Sequence, residues 1–152
     1  MRALLQRVTS ASVRVEGTTV AAIDSGIVVL LGVGHADDDA TADALARRIT
    51  DLRIFRDEAG RTNRSILEVD GGVLVVSQFT LYADTSRGRR PGFTDAAPPE
   101  LAERLYLRLA DRLRAHGVTP VGTGRFGAEM ALELVNDGPF TVWLDTADRP
   151  GA

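Results

Sequence analysis

A hydrolytic or group-transfer site needs a nucleophile, a base or a metal, and this chain is short of all three. It has two histidines, His35 and His116, and no cysteine. Thiolate nucleophiles, disulfides and cysteine-based zinc sites are therefore excluded. His35 follows Gly32-Val33-Gly34 and reads as a loop filler. His116 closes a helical pattern, where the helix dipole favours a cation. Neither stands in a triad-like arrangement with Ser or Asp, and no Gly-x-Ser-x-Gly elbow is present. Asp37, Asp38 and Asp39 are consecutive, so their side chains diverge on any regular backbone, which suits a helix start better than a cation site. Neither a metal nor a cofactor is expected.

Two polar interruptions of apolar sequence remain. In Val75-Val76-Ser77-Gln78-Phe79-Thr80-Leu81, hydroxyl and amide groups end an apolar strand. On a regular strand Ser77 and Phe79 face one side, Gln78 and Thr80 the other. Thr80 is a poor nucleophile without a neighbouring base. A strand end also exposes backbone N–H groups, and one such donor aimed at a developing oxyanion is worth roughly 2.7–4 kcal/mol. The second interruption is Asn136-Asp137-Gly138-Pro139-Phe140-Thr141, which by itself reads as a turn: Asp-Gly tolerates positive φ and Pro starts the next strand.

Taken together, Ser77-Gln78-Phe79-Thr80 and Asn136-x-Gly138-Pro139-x-Thr141 resemble the two signature motifs of the D-aminoacyl-tRNA deacylases, small enzymes that hydrolyse the ester joining a D-amino acid to tRNA. The resemblance spans essentially the whole chain. Leu5-Gln6-Arg7-Val8, Leu30-Leu31-Gly32-Val33, Arg53-Ile54-Phe55 and Thr123-Gly124-Arg125-Phe126 fall where the family carries similar segments. It implies a cytoplasmic homodimer acting on the 3′ end of D-aminoacyl-tRNA, and on glycyl-tRNA mischarged on tRNA-Ala. Main-chain groups around Ser77, Gln78, Phe79 and Thr80 would orient the ester, while the tRNA's terminal 2′-hydroxyl helps activate water. The Gly138-Pro139 bond would be cis. Its loop, with Asn136 and Thr141, would enter the partner's site, hold the substrate's amino group and leave no room for an L side chain. Arg7 is either the residue that pins this loop or a surface strand charge. Phe126 and Met130 either wall an adenine pocket or pack the core. The rival readings are a relaxed-chirality relative clearing L-alanine from the wrong tRNA and a non-enzymatic dimer that binds the tRNA 3′ end.

Composition agrees with a small folded enzyme. The 152 residues are 44% hydrophobic and 26% charged, enough for one domain with a real core. We expect one domain over 1–145 and a polar tail over 146–152. No apolar run approaches the roughly 18–20 residues of a membrane span. The net charge of −3 gives no domain-wide basic field for a long nucleic acid, so no DNA partner is expected. All 18 basic residues are arginine, as codon bias in a GC-rich genome would produce. Arg87, Arg89 and Arg90 cluster in a Gly- and Pro-containing loop, and guanidinium forks suit the phosphates of a tRNA end.

The positioning elements follow from periodicity. Residues 3–15, 19–23 and 27–33 read as strands, the last apolar throughout and so covered on both faces. Leu45, Ile49 and Leu52 mark a helix after the Asp run. Short strands at 54–55 and 66–69 precede a long one at 73–81. Pro98-Pro99 sets up a second helix carrying Leu101, Leu105, Leu109 and Leu113, with Gly117 as its C-terminal stop. Strands at 119–121, 128–135 and 140–144 end the pattern, the last two joined across the Gly-Pro turn. The expected fold is α/β and layered: mostly antiparallel sheets with two helices packed on one side.

Overall fold

The computed structural model describes residues 1–148. Its elements are β1 (Arg2–Val15), β2 (Thr18–Ile23), β3 (Gly26–Gly32), α1 (Asp39–Asp51), β4 (Phe55–Arg56), β5 (Thr62–Arg64), β6 (Gly72–Ser77), α2 (Pro99–Ala115), β7 (Val121–Thr123) and β8 (Ala131–Asp145). β6 is followed by a 3₁₀ turn, Phe79–Tyr82. One six-stranded sheet runs in the order β2-β1-β3-β6-β7, with β8 along the other side of β1. β1 pairs antiparallel with β2, β3 and β8, while β3-β6 and β6-β7 are parallel. Each parallel pair is bridged in sequence by a helix, as a parallel connection requires.

Alternation along the central strands divides the interior in two. Ile27, Val29 and Leu31 of β3, with Val73 and Val75 of β6, meet Leu45 and Ile49 of α1 and Leu105, Leu109 and Leu113 of α2. The opposite side chains, Val28, Leu74 and Val76, with Leu30 beside them, pack on Val8, Ala11 and Val13 of β1 and Ile23 of β2. The unbroken apolar run in β3 is thus a strand covered on both faces. β1 serves both cores: Ala3 and Leu5 enter the helix-side cluster, Val8, Ala11 and Val13 the other. Register shifts against β8 on either side of Val8 permit that change of face.

Both helices start where the sequence predicts and α2 stops at Gly117 as expected, but α1 ends at Asp51, so Leu52, expected on its apolar stripe, is the C-cap. Asp38 caps α1, its carboxylate accepting from the Thr41 N–H at 2.8 Å. Asp39 pairs with Arg104 and Arg108 of α2, and Asp37 accepts from the Gly34 N–H. The three acids therefore diverge, and no cluster of metal-ligating side chains occurs among the described residues. α2 opens with Pro99 and closes at His116, where the Gly117 N–H donates to Arg114 and the Val118 N–H to Leu113, with Gly117 at φ +96°. No helix among the described residues is long and apolar enough to cross a membrane.

Three sequence expectations need correction. Residues 66–69 form a turn, because the apolar Ile66 is a single buried side chain rather than one face of a strand; the paired segment lies earlier, at Thr62–Arg64. β6 ends at Ser77, where the Leu81 N–H turns back to the Gln78 carbonyl and starts the 3₁₀ turn. Strand alternation therefore does not extend over residues 78–80. The Gly-Pro segment is not a hairpin turn: both flanking arms lie in β8 and pair with the same strand, β1. The expected tail begins with Thr146, whose N–H donates to the Met1 carbonyl at 2.9 Å; its end, 149–152, lies outside the described residues.

The tightest crossing is Gly26 opposite Gly72 in the parallel β3-β6 pair. A Cβ on Gly26 would sit 1.9 Å from the Gly72 carbonyl oxygen, and backbone cannot swing aside as a side chain does. Gly26→Ala should therefore lower stability by about 3 kcal/mol or more, above the usual range for overpacking. Urea unfolding checks this, and a loss under about 1 kcal/mol would show that the strands separate easily.

Candidate active site

The end of β6 opens onto a cleft of about 830 Å³. Ser77, Gln78 and Phe79 form one side, Phe126, Met130 and Leu132 another, and Val33, Phe93, Ala97 and Pro98 a third. Phe126 and Met130 do both things the sequence left open: they line this cleft and pack against the core clusters beneath it. The Gln78 N–H donates to the Leu31 carbonyl at 2.7 Å, fixing the strand end to β3. The first bond of the 3₁₀ turn is made by Leu81, so the N–H groups of Phe79 and Thr80 lie ahead of it with no partner inside the turn. The Gln78 side-chain amide donates to the Thr80 hydroxyl, and Thr80 itself is exposed.

Aromatic packing shapes the cleft. Phe79 is 54% exposed and meets Phe93 edge to face, with centroids 5.0 Å apart. Phe126 leans on Tyr106, whose hydroxyl lies 3.1 Å from the carbonyls of both Val75 and Gly124. Burial raises the Tyr106 phenol to about 12, so it stays a neutral donor tying α2 to the β6 and β7 region. Phe93 was missed as a site residue because its loop was read only for its arginines. A lone aromatic beside Gly92 in a polar loop was the available signal.

His35 also lines the cleft, its Nε2 2.7 Å from the Thr94 carbonyl, which agrees with a loop-holding role. His116 is the C-cap of α2, as its position in the sequence suggests. The loop bearing Arg87, Arg89 and Arg90 is exposed and leads directly into Phe93 and Thr94 at the cleft.

The second motif lies elsewhere on the chain, and none of residues 136–141 lines this cleft. Between the pairs Gln6-Thr141 and Val8-Asn136, Arg7 alone faces residues 137–140, so β8 bulges outward. The bond between Gly138 and Pro139 is cis. Arg7 is no surface charge: it is 1% exposed. Its guanidinium donates to the Ile54 carbonyl at 2.5 Å and to the Asp137 carbonyl at 3.2 Å, pairs with the Asp137 carboxylate at 2.9 Å, and stacks 4.1 Å from the Phe140 ring centroid. Asn136 closes the bulge by donating from its amide to the carbonyls of Arg7 and Phe140. Thr141 accepts from Gln6 at 3.1 Å. Asp137 went unnoticed in the sequence because half of its role is a side-chain pairing that only the bulge creates.

Mixed sheet, paired helices and a cleft at the strand end define a small α/β enzyme scaffold, and sequence comparison gives its lineage. The family model described as D-Tyr-tRNA(Tyr) deacylase matches residues 4–145, and the chain belongs to that family. It is 59% identical over 151 residues to the D-aminoacyl-tRNA deacylase of Thermomicrobium roseum, covering 99% of this chain and 97% of that one. With the enzyme of the same name from a Jannaschia species the identity is 57% over 147 residues, covering 97% and 99%. Among solved structures, one described as c-Myc DNA Unwinding Element Binding Protein superposes with a TM-score of 0.90 at 39% identity, covering 96% of this chain and 99% of that one. A probable eukaryotic D-amino acid tRNA deacylase shares the fold, with a TM-score of 0.81 at 20% identity over 94% and 97% of the two chains.

Arg7 offers a direct test of the bulge. Arg7→Met keeps an unbranched stem but leaves the Ile54 carbonyl without its donor and Asp137 without its cation. Because Asp137 is 42% exposed it can regain water, so the loss should be about 2–4 kcal/mol, toward the lower side of a broken buried pair. Urea unfolding measures it; a change below about 1 kcal/mol would mean that the bulge holds itself.

Proposed function

We propose that this protein hydrolyses the ester of D-aminoacyl-tRNA, releasing the D-amino acid and tRNA. The observation that carries the reading is the cleft joining Ser77, Gln78 and Phe79 to Phe126 and Met130, in a chain of this family. In the reaction a water oxygen attacks the ester carbonyl carbon, the bond to the ribose 3′-oxygen breaks, and that oxygen takes up a proton. Main-chain donors at Phe79 and Thr80 suit the developing oxyanion, and the apolar walls suit the terminal adenine. The terminal 2′-hydroxyl, beside the ester, assists the water. Thr80 orients rather than attacks.

In the same reading the active unit is a homodimer in which Gly138-Pro139 of one chain enters the partner's cleft and rejects L side chains. Two features support it. The bulge lies away from the cleft of its own chain, and Val135 beside it is 57% exposed. Within its own chain a Cβ at Gly138 would meet only the Asn136 side-chain oxygen, at 3.3 Å. Intrachain packing therefore gives little reason for glycine, whereas a substrate approaching from the partner's side gives a strong one. Selection by exclusion tolerates many D side chains and leaves glycyl esters, which have nothing to exclude, open to cleavage.

Matched deacylation of D-tyrosyl-, L-tyrosyl- and glycyl-tRNA tests the stereochemistry. The D-ester should be consumed for many turnovers per site, the glycyl ester measurably, and the L-ester not at all. Comparable rates on both tyrosyl enantiomers would overturn the filter, and stoichiometric protection without turnover would identify a binder instead.

The origin of the chemistry is tested separately. Substrate ending in 2′-deoxyadenosine should still bind but turn over slower by orders of magnitude, on the scale of about 10²–10⁴ for loss of an acid–base group. Thr80→Ala should keep substantial activity. Full turnover of the deoxy substrate together with complete inactivity of the variant would instead establish Thr80 as a nucleophile.

A further inference from the structure

Charge is distributed unevenly around the cleft, and one segment stands apart. Asp84 and Gly92 exchange both backbone hydrogen bonds, at 2.8 and 2.9 Å, closing residues 85–91 into a loop. Hydrogen bonding from the Ser86 side chain, and from the Ser86 N–H at 2.9 Å, holds the Asp84 carboxyl below its usual range. The acid is thus engaged in capping the loop. Gly88, at φ +73°, turns the chain between Arg87 and Arg89. Arg87, Arg89 and Arg90 are all exposed and make no ion pair among the described residues, as is true of several other arginines; what sets them apart is that three of them fall within four residues. No acid lies within 85–94; Asp84 and Asp95 are the flanking ones.

Position gives this cluster meaning. The loop's outgoing leg is Phe93 and Thr94, both on the cleft wall, and Phe93 contacts Phe79 beside the strand end. Three exposed guanidinium groups therefore stand on the loop that runs into the cavity wall, on a protein whose net charge is −3. A generally acidic surface repels polyanions except where such a patch stands.

We propose that the loop of Arg87, Arg89 and Arg90 is a phosphate clamp for the single-stranded 3′ end of the RNA substrate, gripping the nucleotides that precede the terminal adenosine. This rests on the reading of the reaction given above and adds where the rest of the nucleic acid runs. The planar forks of arginine suit phosphate oxygens, and the closed base of the loop limits the ordering needed to present them. The clamp contributes affinity without reading sequence, so it serves tRNAs of any identity.

The test compares two substrates in one assay: D-tyrosyl-tRNA, and D-tyrosyl-adenosine, which carries the ester but no upstream phosphates. For the triple variant R87Q/R89Q/R90Q, the ratio of kcat/KM on tRNA to kcat/KM on the adenosine ester should fall roughly tenfold or more. The slope of log kcat/KM for tRNA against log salt should become shallower by about 2, since each single-strand phosphate that an arginine neutralises adds about 0.7 to it. The triple variant R87K/R89K/R90K should restore most of that slope, since it keeps the charges. An unchanged ratio and slope, with both substrates still cleaved, would overturn the clamp and leave the reaction standing. Failure of the unaltered protein to cleave either substrate would remove the reaction and the clamp together.

Discussion

A buried guanidinium determines how the two longest strands meet. Arg7 occupies a position where β1 has one residue and β8 has Asp137, Gly138, Pro139 and Phe140. Removing a cation from water costs several kcal/mol unless its hydrogen bonds and charge are replaced. Here Ile54 supplies a carbonyl, Asp137 a carbonyl and a carboxylate, and Phe140 a ring face. Those partners come from the segment before β4 and from the bulge itself, so anchoring one side chain ties three parts of the chain together. Asn136 then bonds across the neck of the bulge, and the two arms of β8 keep separate registers with β1. The bulge that carries the Gly-Pro segment is thus held by the ion pair and hydrogen bonds of a buried guanidinium, one of whose nitrogens, Nη2, finds no partner among the described residues, and not by a local turn preference.

That dependence explains which parts of the molecule were legible in sequence. The apolar run of β3, the leucine spacing of α2 and the Gly117 stop express local rules and stand where the sequence predicts, and the Asp38 cap falls within the acid run expected at a helix start. Ser77 and Phe126 were visible as polar or aromatic residues at element ends, yet nothing local says that they share a cavity. The misreadings arise where a tertiary partner decides. Gly138-Pro139 carries a turn signature, but pairing of both arms with β1 overrides it. Ser77 to Leu81 has strand composition, but the chain has finished its pairing with β3 by Gln78 and curls. Arg7 could be placed inside or outside until its partners were known, since a lone arginine in an alternating strand is consistent with both. Family resemblance alone suggests that the two motifs act together; in the single chain none of residues 136–141 lines the cleft.

Among the described residues, no carboxylate or guanidinium side chain lines the cleft. Phe79, Phe93, Phe126, Met130 and Leu132 provide its walls, with His35 engaged by the Thr94 carbonyl. Charged side chains placed there would lose hydration without a nearby counterion, and their own pKa values would shift to discharge them. Main-chain dipoles avoid this. On the proposed reading, already fixed by the bond from Gln78 to Leu31 and by the turn that follows, they would need little reorientation when charge develops on a substrate oxygen, and low polarity around them would strengthen their field.

Charge is instead kept outside that volume. Arg104, Arg108 and Arg112 of α2 pair with Asp39 and Asp43 of α1, which ties the helices together, and Arg114 pairs with Asp111 of its own helix, whereas the arginines at 87, 89 and 90 face water on the loop that runs into the cleft wall. Exposed guanidiniums retain hydration until a phosphate replaces it, so they add attraction at the rim without the burial cost that the interior would impose. Such a division favours a substrate with polyanionic chain at one end and an uncharged ester with a flat base at the other. An interior rich in charge would grip the phosphates but weaken the dipoles meant for the ester, and an uncharged rim would leave an acidic protein repelling the molecule it must hold. On the proposed reading, neutral dipoles inside and guanidiniums outside are one solution to both demands.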